Sequence, residues 1–282
     1  RPDKENDRVR HIDTSNAQTG PVFLAHRANA ALDGVLARAA AGEPAADVTA
    51  ADGVRHTLWV IDAPADIAAI TAAADAQGVL YIADGHHRSA AASRVAAARK
   101  GALDDESNFF LAVSFPHDQL KILDYNRLLT DLHGLDAAAF LARVGAHFEV
   151  EPTAGQARPT SANTFGMYLR GQWYRLTLKA GRVPDDPVGR LDVSLLHHYL
   201  IEPVLGVSDP RRDKRIDFVG GIRGLGELER RVDSGEMAVA FALYATSLDD
   251  LMAVADAGQV MPPKSTWFEP KLADGMVSHL LD

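Results

Sequence analysis

The sequence predicts an α/β (α+β) fold in which mixed sheets and helices interleave along the chain. Three observations support this class. Short apolar runs rich in β-forming residues alternate with alanine-rich stretches of helical periodicity. Glycine or proline separates most of these segments. Hydrophobic residues make up 47% of the 282 positions and charged residues 24%, which is enough apolar mass for one large domain or two smaller ones.

Residues 1–150 are predicted to form one α/β part. Apolar residues recur at helical spacing from Ala31 to Leu36, and a Gly-Glu-Pro turn at 42–44 ends that helix. Strand, helix and strand follow over 56–83, which is the pattern of an α/β unit. The predicted elements are helices over 28–41, 64–77, 90–99 and 136–147, strands over 56–62, 79–83 and 109–115, and an extended stretch over 121–129.

Residues 151–282 are predicted to form a second, α+β part. An aperiodic loop over 152–163 precedes a hairpin whose strands, 164–169 and 173–178, flank a turn containing Gly171. The proline spacing of the tail over 260–271 excludes a regular helix there. The remaining predicted elements are helices over 193–200, 225–233 and 248–257 and strands over 215–219 and 237–243.

Composition excludes several function classes. With 29 Lys and Arg against 38 Asp and Glu, the formal charge of −9 argues against a broad nucleic-acid-binding face. The absence of cysteine excludes disulfides, thiolate metal sites and cysteine nucleophiles. No window approaches the roughly 18 unbroken apolar residues of a membrane helix. We therefore expect a cytoplasmic protein whose partner is a small-molecule substrate, without nucleic acid or membrane.

The sharpest local feature is the run from Asp84 to Arg88, Asp-Gly-His-His-Arg, which we call the DGHHR box. It lies between a predicted strand and a predicted helix, so backbone N–H groups and the helix dipole can face an anion. Gly85 permits close approach or a positive φ. Arg88 can bind phosphate oxygens as a fork, Asp84 can hold Mg²⁺, and His86 and His87 can donate hydrogen bonds or exchange a proton.

Plainer interpretations of the box and of the other histidine pair stay open. Asp84 can simply cap the helix, with solvated histidines beside it. A zinc site is less well supported, because adjacent histidines point in different directions whereas a helical zinc pair is spaced i, i+4. The second pair, His197 and His198, falls inside a predicted helix and is interpreted as structural, with one member packed and one exposed.

Two further segments and the N-terminus contain candidate binding residues. In the tail, Lys264, Ser265 and Thr266 can bind an anion, or the segment can be a crossing connection anchored by aromatic side chains. The charged run over 211–217 can be a solvated face, although it leads into a strand and a Gly-Gly turn and includes Asp217. The opening run can contribute Lys4, Glu5 and Arg8, or it can be a frayed terminus.

Three motifs in order, Ile82–Arg88, Asp213–Gly221 and Met261–Lys271, resemble the bacterial and archaeal DUF1015 family, and the resemblance runs essentially from Arg1 to Asp282. It further implies an N-terminal portion, ending in a Lys/Arg-His-Glu-x-Thr stretch, ahead of the run that begins at Pro2. That portion is a candidate location for catalytic residues.

The family's box resembles the phosphate-binding box of ParB/sulfiredoxin-like proteins, which include kinases acting on free serine. The resemblance implies a ParB/sulfiredoxin-like phosphate-binding part and an enzyme, a phosphotransferase acting on a small hydroxyl substrate such as serine. Because cysteine is absent, only the phosphate-handling half of the sulfiredoxin comparison applies. A phosphate-ester hydrolase, a non-catalytic nucleotide-binding switch of ParB type, and a structural or interaction protein remain as alternatives.

On this hypothesis each candidate residue has a role. Arg88, His86 and His87 form the phosphate cradle with the backbone after Gly85, and Asp84 is a Mg²⁺ ligand or general base. The phosphoryl donor is ATP, ADP or diphosphate. The other candidates close over the donor or hold the substrate carboxylate (Lys264, Ser265, Thr266, Lys271), supply a second acid (Asp217) or flank the N-terminal portion (Lys4, Glu5, Arg8).

Overall fold

The computed structural model describes residues 2–282, without the side chain of Pro2. It has a mixed α+β fold, as the sequence predicts. The α-helices are α1 Pro2–Ser15, α2 Ala30–Ala40, α3 Pro64–Gln77, α4 His86–Arg99, α5 Ala137–Val144, α6 Asp192–Leu196, α7 Glu202–Leu205, α8 Gly226–Asp233 and α9 Leu248–Asp256. The strands are β1 Ala17–Gln18, β2 Val22–His26, β3 Ala46–Thr49, β4 Arg55–Leu58, β5 Tyr81–Asp84, β6 Ala112–Pro116, β7 Lys121–Leu123, β8 Tyr125–Leu129, β9 Phe148–Thr153, β10 Thr164–Leu169, β11 Gln172–Leu178, β12 Ile216–Gly220, β13 Val239–Leu243, β14 Trp267–Glu269 and β15 His279–Leu280.

The chain forms two compact units. The first unit combines Arg1–Leu120 with Pro270–Asp282, and the second unit is Lys121–Glu269. The division into 1–150 and 151–282 stays a prediction, and the compact units divide the chain elsewhere. Within residues 2–282, no helix is both long enough and apolar enough to cross a membrane.

The first unit is built around β2, whose residues are all buried. This strand pairs antiparallel with β5 and parallel with β6, and the rings of Phe23 and Phe115 meet edge to face at 5.4 Å. Helix α1 packs against α4 through Ile12, Ala91 and Val95. The returning C-terminal segment adds β15, which pairs with β1. The strand that carries the start of the DGHHR box is therefore joined to a fully buried strand of its unit.

The strand, helix and strand predicted over 56–83 are present, but they do not form one α/β unit. The strands on either side of α3 belong to different sheets, because β4 pairs with β3 in a two-stranded hairpin whereas β5 pairs with β2. Val60, inside the predicted strand, is 68% exposed. The buried partner of β5 comes instead from Val22–His26, an apolar run that sequence analysis passed over.

The second unit is organised by a six-stranded antiparallel sheet in the order β12-β8-β13-β10-β11-β9. In the central strands β8, β13 and β10, alternate residues are buried in two different core clusters, so both faces of this part of the sheet are covered. Phe165, Met167 and Phe241 belong to one core cluster, together with residues of α5 and of the helical segment 192–205, whereas Tyr168 belongs to another cluster with residues of α8. The predicted hairpin over 164–178 and the helices over 225–233 and 248–257 are confirmed.

Asp192 ties the start of α6 to the loop that precedes β10. One carboxylate oxygen accepts a hydrogen bond from the backbone N–H of Asn163 at 2.8 Å. The other oxygen is buried and has no hydrogen-bond partner among the described residues. Burial raises the pKa of Asp192 to about 7, and the hydrogen bond from Asn163 opposes that rise only in part. This carboxyl group therefore makes folding sensitive to pH.

We predict that Asp192→Asn removes a pH dependence of stability. The pKa of Asp192 rises on folding from its ordinary value of 3.8, so the folded state binds more protons than the unfolded state between about pH 4 and pH 7. The stability contributed by the protonated group is lost as pH rises through this window. Urea unfolding should show wild type losing ~2 kcal/mol relative to the variant between about pH 5 and pH 7.5. A difference that stays constant with pH would contradict the assignment.

Candidate functional site

The DGHHR box forms a strand, a turn and a helix start. Strand β5 ends at Asp84, Gly85 has φ +94°, and α4 begins at His86. The carbonyl of Gly85 accepts hydrogen bonds from the N–H groups of Arg88 at 2.8 Å and Ser89 at 2.9 Å. The first N–H groups of a helix have no intrahelical partner, and the helix dipole adds positive potential there. The left-handed turn thus places the start of a helix directly after a sheet strand.

Two glycines make room for the guanidinium of Arg88. A Cβ on Gly85 would lie 3.1 Å from Nε of Arg88, and a Cβ on Gly20 would lie 3.2 Å from its Nη1. The Nη2 atom of Arg88 lies 3.5 Å from a carboxylate oxygen of Asp84. The Asp84 side chain is 70% exposed, whereas that of Arg88 is 28% exposed. Arg88 is thereby confined, and Asp84 keeps most of its carboxylate open to solvent.

A cavity of about 390 Å³ lies beside Arg88 within the first unit. Arg8 of α1 and Arg88 of α4 bring two guanidinium groups to its wall, and His11 and Asp274 also line it. The wall carries two arginines against one carboxylate, and each arginine also has a carboxylate neighbour outside the wall: Asp84 for Arg88, and Asp7, which accepts from Nη2 of Arg8 at 2.9 Å. Guanidinium groups are donors that suit an anion. The remaining wall residues are Ile12, Gln18, Thr19, Gly20, Val22, Leu111, Gly275 and Ser278.

Other residues of the predicted cradle lie outside that wall. His86 and His87 are exposed on the first turn of α4, and neither they nor Asp84 is among the wall residues that the structure describes. Lys4 is exposed on α1, while Glu5 accepts a hydrogen bond from Arg94 of α4 at 2.8 Å. The structure therefore places Arg8 and Arg88 in one cavity wall, whereas the two histidines at the start of α4 and Asp84 at the end of β5 lie outside that wall.

Sequence analysis missed His11 and Asp274 as companions of the box. Arg8 and His11 are spaced i, i+3 on α1, so they share a helix face. Recognition of a helix over 2–15 would have indicated this pair. No comparable signal marks Asp274, because it lies in an irregular segment that returns from the far end of the chain.

The predicted binding residues of the tail lie in two different units. Lys264 has φ +59° and its Nζ donates to the Tyr125 hydroxyl at 3.3 Å. Ser265 is buried and donates to the Pro262 carbonyl at 2.5 Å, whereas Thr266 is half-buried. These residues belong to the second unit. Lys271, by contrast, is an exposed residue of the first unit.

Asp217 is engaged in an ion pair on the sheet of the second unit. Its carboxylate lies 2.8 Å from Nη2 of Arg231, which also contacts Glu236. Arg231 is 9% exposed, and two carboxylates balance its charge. The second acid predicted from sequence thus has a structural contact in this unit.

The sequence model of a family described as a protein of unknown function, DUF1015, matches residues 1–194. The chain belongs to the DUF1015 family. The matched range contains the DGHHR box and α1, whereas the motifs over 213–221 and 261–271 lie beyond it. A sequence comparison with curated proteins finds no match.

Three solved structures illustrate which chains this DUF1015 protein is similar to. A free serine kinase variant in complex with AMP is 12% identical, with 95% of this chain and 80% of that chain covered and a TM-score of 0.44. A conserved hypothetical protein from Pyrococcus furiosus is 14% identical, with coverages of 97% and 86% and a TM-score of 0.41. SbnI with a C-terminal truncation, from Staphylococcus aureus, is 10% identical, with coverages of 97% and 79% and a TM-score of 0.38. At these TM-scores, function has to be argued from the residues of the DUF1015 chain.

We predict that Gly85→Ala weakens anion binding, whereas Gly78→Ala does not. Both glycines have positive φ, so each alanine should reduce the free energy of unfolding by ~1–3 kcal/mol. Only the Cβ at position 85 meets neighbouring atoms, those of Arg88 and Val22, while position 78 is open. Calorimetric titration with inorganic phosphate measures the difference. Equal phosphate affinity in the two variants would contradict a role for the Arg88 environment.

Proposed function

We propose that this DUF1015 chain transfers a phosphoryl group to a small hydroxyl substrate, with free serine as the preferred acceptor and a nucleotide or diphosphate as donor. The observation that carries the proposal is the convergence of Arg8 and Arg88 on one cavity within the first unit. Arg88 belongs to the first turn of α4. Guanidinium forks and the N–H groups of a helix start are donors that suit phosphate oxygens.

The proposed chemistry needs little covalent work from the protein. Acceptor and donor have to lie in line, and the charge on the transferred group has to be neutralised. Arg8 and Arg88 supply that charge. Asp84, exposed and 3.5 Å from Arg88, would accept the proton of the attacking hydroxyl. His86 and His87, at the solvent-exposed start of α4, would donate hydrogen bonds to the donor phosphates.

The carboxylate of Asp84 fits a Mg²⁺ ion that is coordinated jointly by the protein and by phosphate oxygens of the substrate. Among residues 2–282, no group of three or more His, Asp or Glu side chains is arranged to hold a metal. Mg²⁺ commonly takes one or two carboxylates and completes its shell with phosphate and water oxygens. As the alternative to its role as a base, Asp84 would provide the protein ligand with its exposed carboxylate, and the bound ion would neutralise charge on the phosphates.

An amino acid acceptor accounts for the mixed charge of the cavity. Asp274 can pair with an ammonium group, while Arg8, whose Nη2 donates to the exposed Asp7 at 2.9 Å, has further N–H groups for a carboxylate. The resemblance of the DGHHR box to that of serine kinases supports serine among such acceptors. The proposed roles of Lys264, Ser265, Thr266 and Lys271 in holding donor or substrate, and of Asp217 as a second acid, stay predictions.

We predict that Arg88→Ala lowers kcat/KM for phosphoserine formation about 100- to 1000-fold, because one charged donor to the transition state is lost. Arg88→Lys should recover only part of that loss, since an ammonium cannot form the fork. The assay combines the chain, Mg²⁺, serine and ATP, ADP or diphosphate, with phosphoserine measured by mass spectrometry. Arg38→Ala is the matched control, because Arg38 forms an exposed ion pair with Asp66 on α2 and α3.

The same assay components, used in other combinations, distinguish the alternative functions. Consumption of phosphoserine without a donor would indicate a phosphate-ester hydrolase. A nucleotide that raises Tm but gives no turnover would indicate a binding switch. Absence of phosphoserine with every donor, or an Arg88→Ala variant as active as wild type, would overturn the phosphotransferase proposal.

A further inference from the structure

The second unit contains its own cavity, of about 820 Å³. This volume lies within the usual range for small-molecule sites. Apolar side chains such as Ile201, Phe218 and Pro262 form much of its wall. Arg127 and His197 bring polar groups to the same wall. All of these residues belong to Lys121–Glu269, so the cavity is a feature of one unit.

Arg127 is a buried cation without a carboxylate partner among the described residues. It is 5% exposed on β8, and its guanidinium donates to the carbonyls of Tyr125 and Lys264, the latter at 3.0 Å. Its Cζ lies 5.5 Å from the centre of the Phe218 ring. Two of the five N–H groups of a guanidinium are thus accounted for. Burial lowers the pKa of Arg127 to about 9, which still leaves it charged at neutral pH.

The acidic residues of the cavity wall are occupied elsewhere. Asp209 accepts from Nε of Arg211 at 3.0 Å and lies 3.7 Å from Nε of Arg212. Asp186 accepts from Gln259 at 2.8 Å and from the backbone N–H of Gly189 at 2.5 Å. Neither carboxylate forms an ion pair with Arg127 in the described chain. The cavity therefore presents a buried positive charge that its own acids do not neutralise.

His197 adds a second unsatisfied polar group at a local irregularity of the helix. The segment His197–Ile201 is one turn of π-helix between α6 and α7, in which the N–H of Glu202 bonds to the carbonyl of His197. Pro203 follows and has no N–H to continue the α-helical ladder, which accounts for the widened turn. The Nδ1 atom of His197 is buried and has no hydrogen-bond partner among the described residues, while its Nε2 lies 3.8 Å from a carboxylate oxygen of Glu202. Such turns frequently occur at functional sites.

We propose that this cavity binds a small organic anion, a carboxylate or phosphate that carries an apolar group. The anionic head would accept hydrogen bonds from the remaining N–H groups of Arg127 and from Nδ1–H of His197. The apolar part would pack against Ile201, Phe218 and Pro262. The site belongs to the second unit and does not depend on the proposed phosphotransfer.

Phenylacetate and phenyl phosphate are the probes, and 2-phenylethanol is the neutral control. We expect one of the two anions to raise Tm and bind in calorimetric titrations, and the neutral alcohol to do neither. Arg127→Met should weaken that binding by about tenfold or more. Ser208→Trp, which leaves Arg127 in place and narrows the cavity from an exposed position, should weaken it as well. The second variant keeps the test valid if Arg127→Met does not fold.

The affinities of the two anions identify the head group that the cavity prefers. Tighter binding of phenylacetate assigns the carboxylate class, and tighter binding of phenyl phosphate assigns the phosphate class. Phenyl phosphate can also bind the proposed phosphate cavity of the first unit, so the titrations are repeated in the Arg88→Ala variant. Binding to the second-unit cavity is expected to persist in that variant, so failure of the phosphotransferase proposal is measured separately. Absence of binding by both anions, or equal affinity in wild type, Arg127→Met and Ser208→Trp, would overturn the proposal.

Discussion

A guanidinium group keeps its charge at neutral pH, so an arginine removed from water needs groups around it that stabilise that charge. Three arginines meet this constraint differently. Arg231 is balanced by Asp217 and Glu236. Arg88, less buried, has Asp84 at 3.5 Å and a cavity in front of it. Arg127, the most buried of the three, has carbonyl oxygens alone among its hydrogen-bond acceptors in residues 2–282. The carboxylates around each guanidinium thus distinguish Arg231, which has a structural role, from Arg88 and Arg127, which are suited to bind ligands.

The box could be predicted because local chemistry determines it. An apolar run ending at Asp84, a glycine that tolerates a left-handed turn and an alanine-rich helix are each visible in a few consecutive residues. The hairpin over 164–178 is equally local. The prediction of one α/β unit over 56–83 was wrong because β5 pairs with β2, a segment nearly sixty positions away in sequence. No local pattern encodes that pairing. Helix α1 was missed because half of its residues are charged and its sequence has little apolar periodicity.

The candidate site was only partly visible for a related reason. Arg8 was singled out, but its approach to Arg88 depends on packing of α1 against α4 through Ile12 and Val95. Arg127 could not be recognised, because one basic residue in an extended stretch is usually solvent-facing. Its burial follows from the two covered faces of the six-stranded sheet. The structure also shows a packing role for the tail motif over 261–271. The carbonyl of Lys264 accepts a hydrogen bond from Arg127, and Pro262 lines the cavity beside it.

The first unit is discontinuous in sequence, and this has a consequence for biosynthesis. Strand β15 pairs with β1, and Leu281 packs into the cluster that joins α1 and α4. Asp274, Gly275 and Ser278, which complete the wall beside Arg88, also belong to the returning segment. On the ribosome, every residue of the second unit is therefore synthesised before the first unit can close. The cavity beside Arg88 is one of the last features of the protein to form. A chain that ends before Asp274 contains the DGHHR box but lacks the residues that complete this cavity wall.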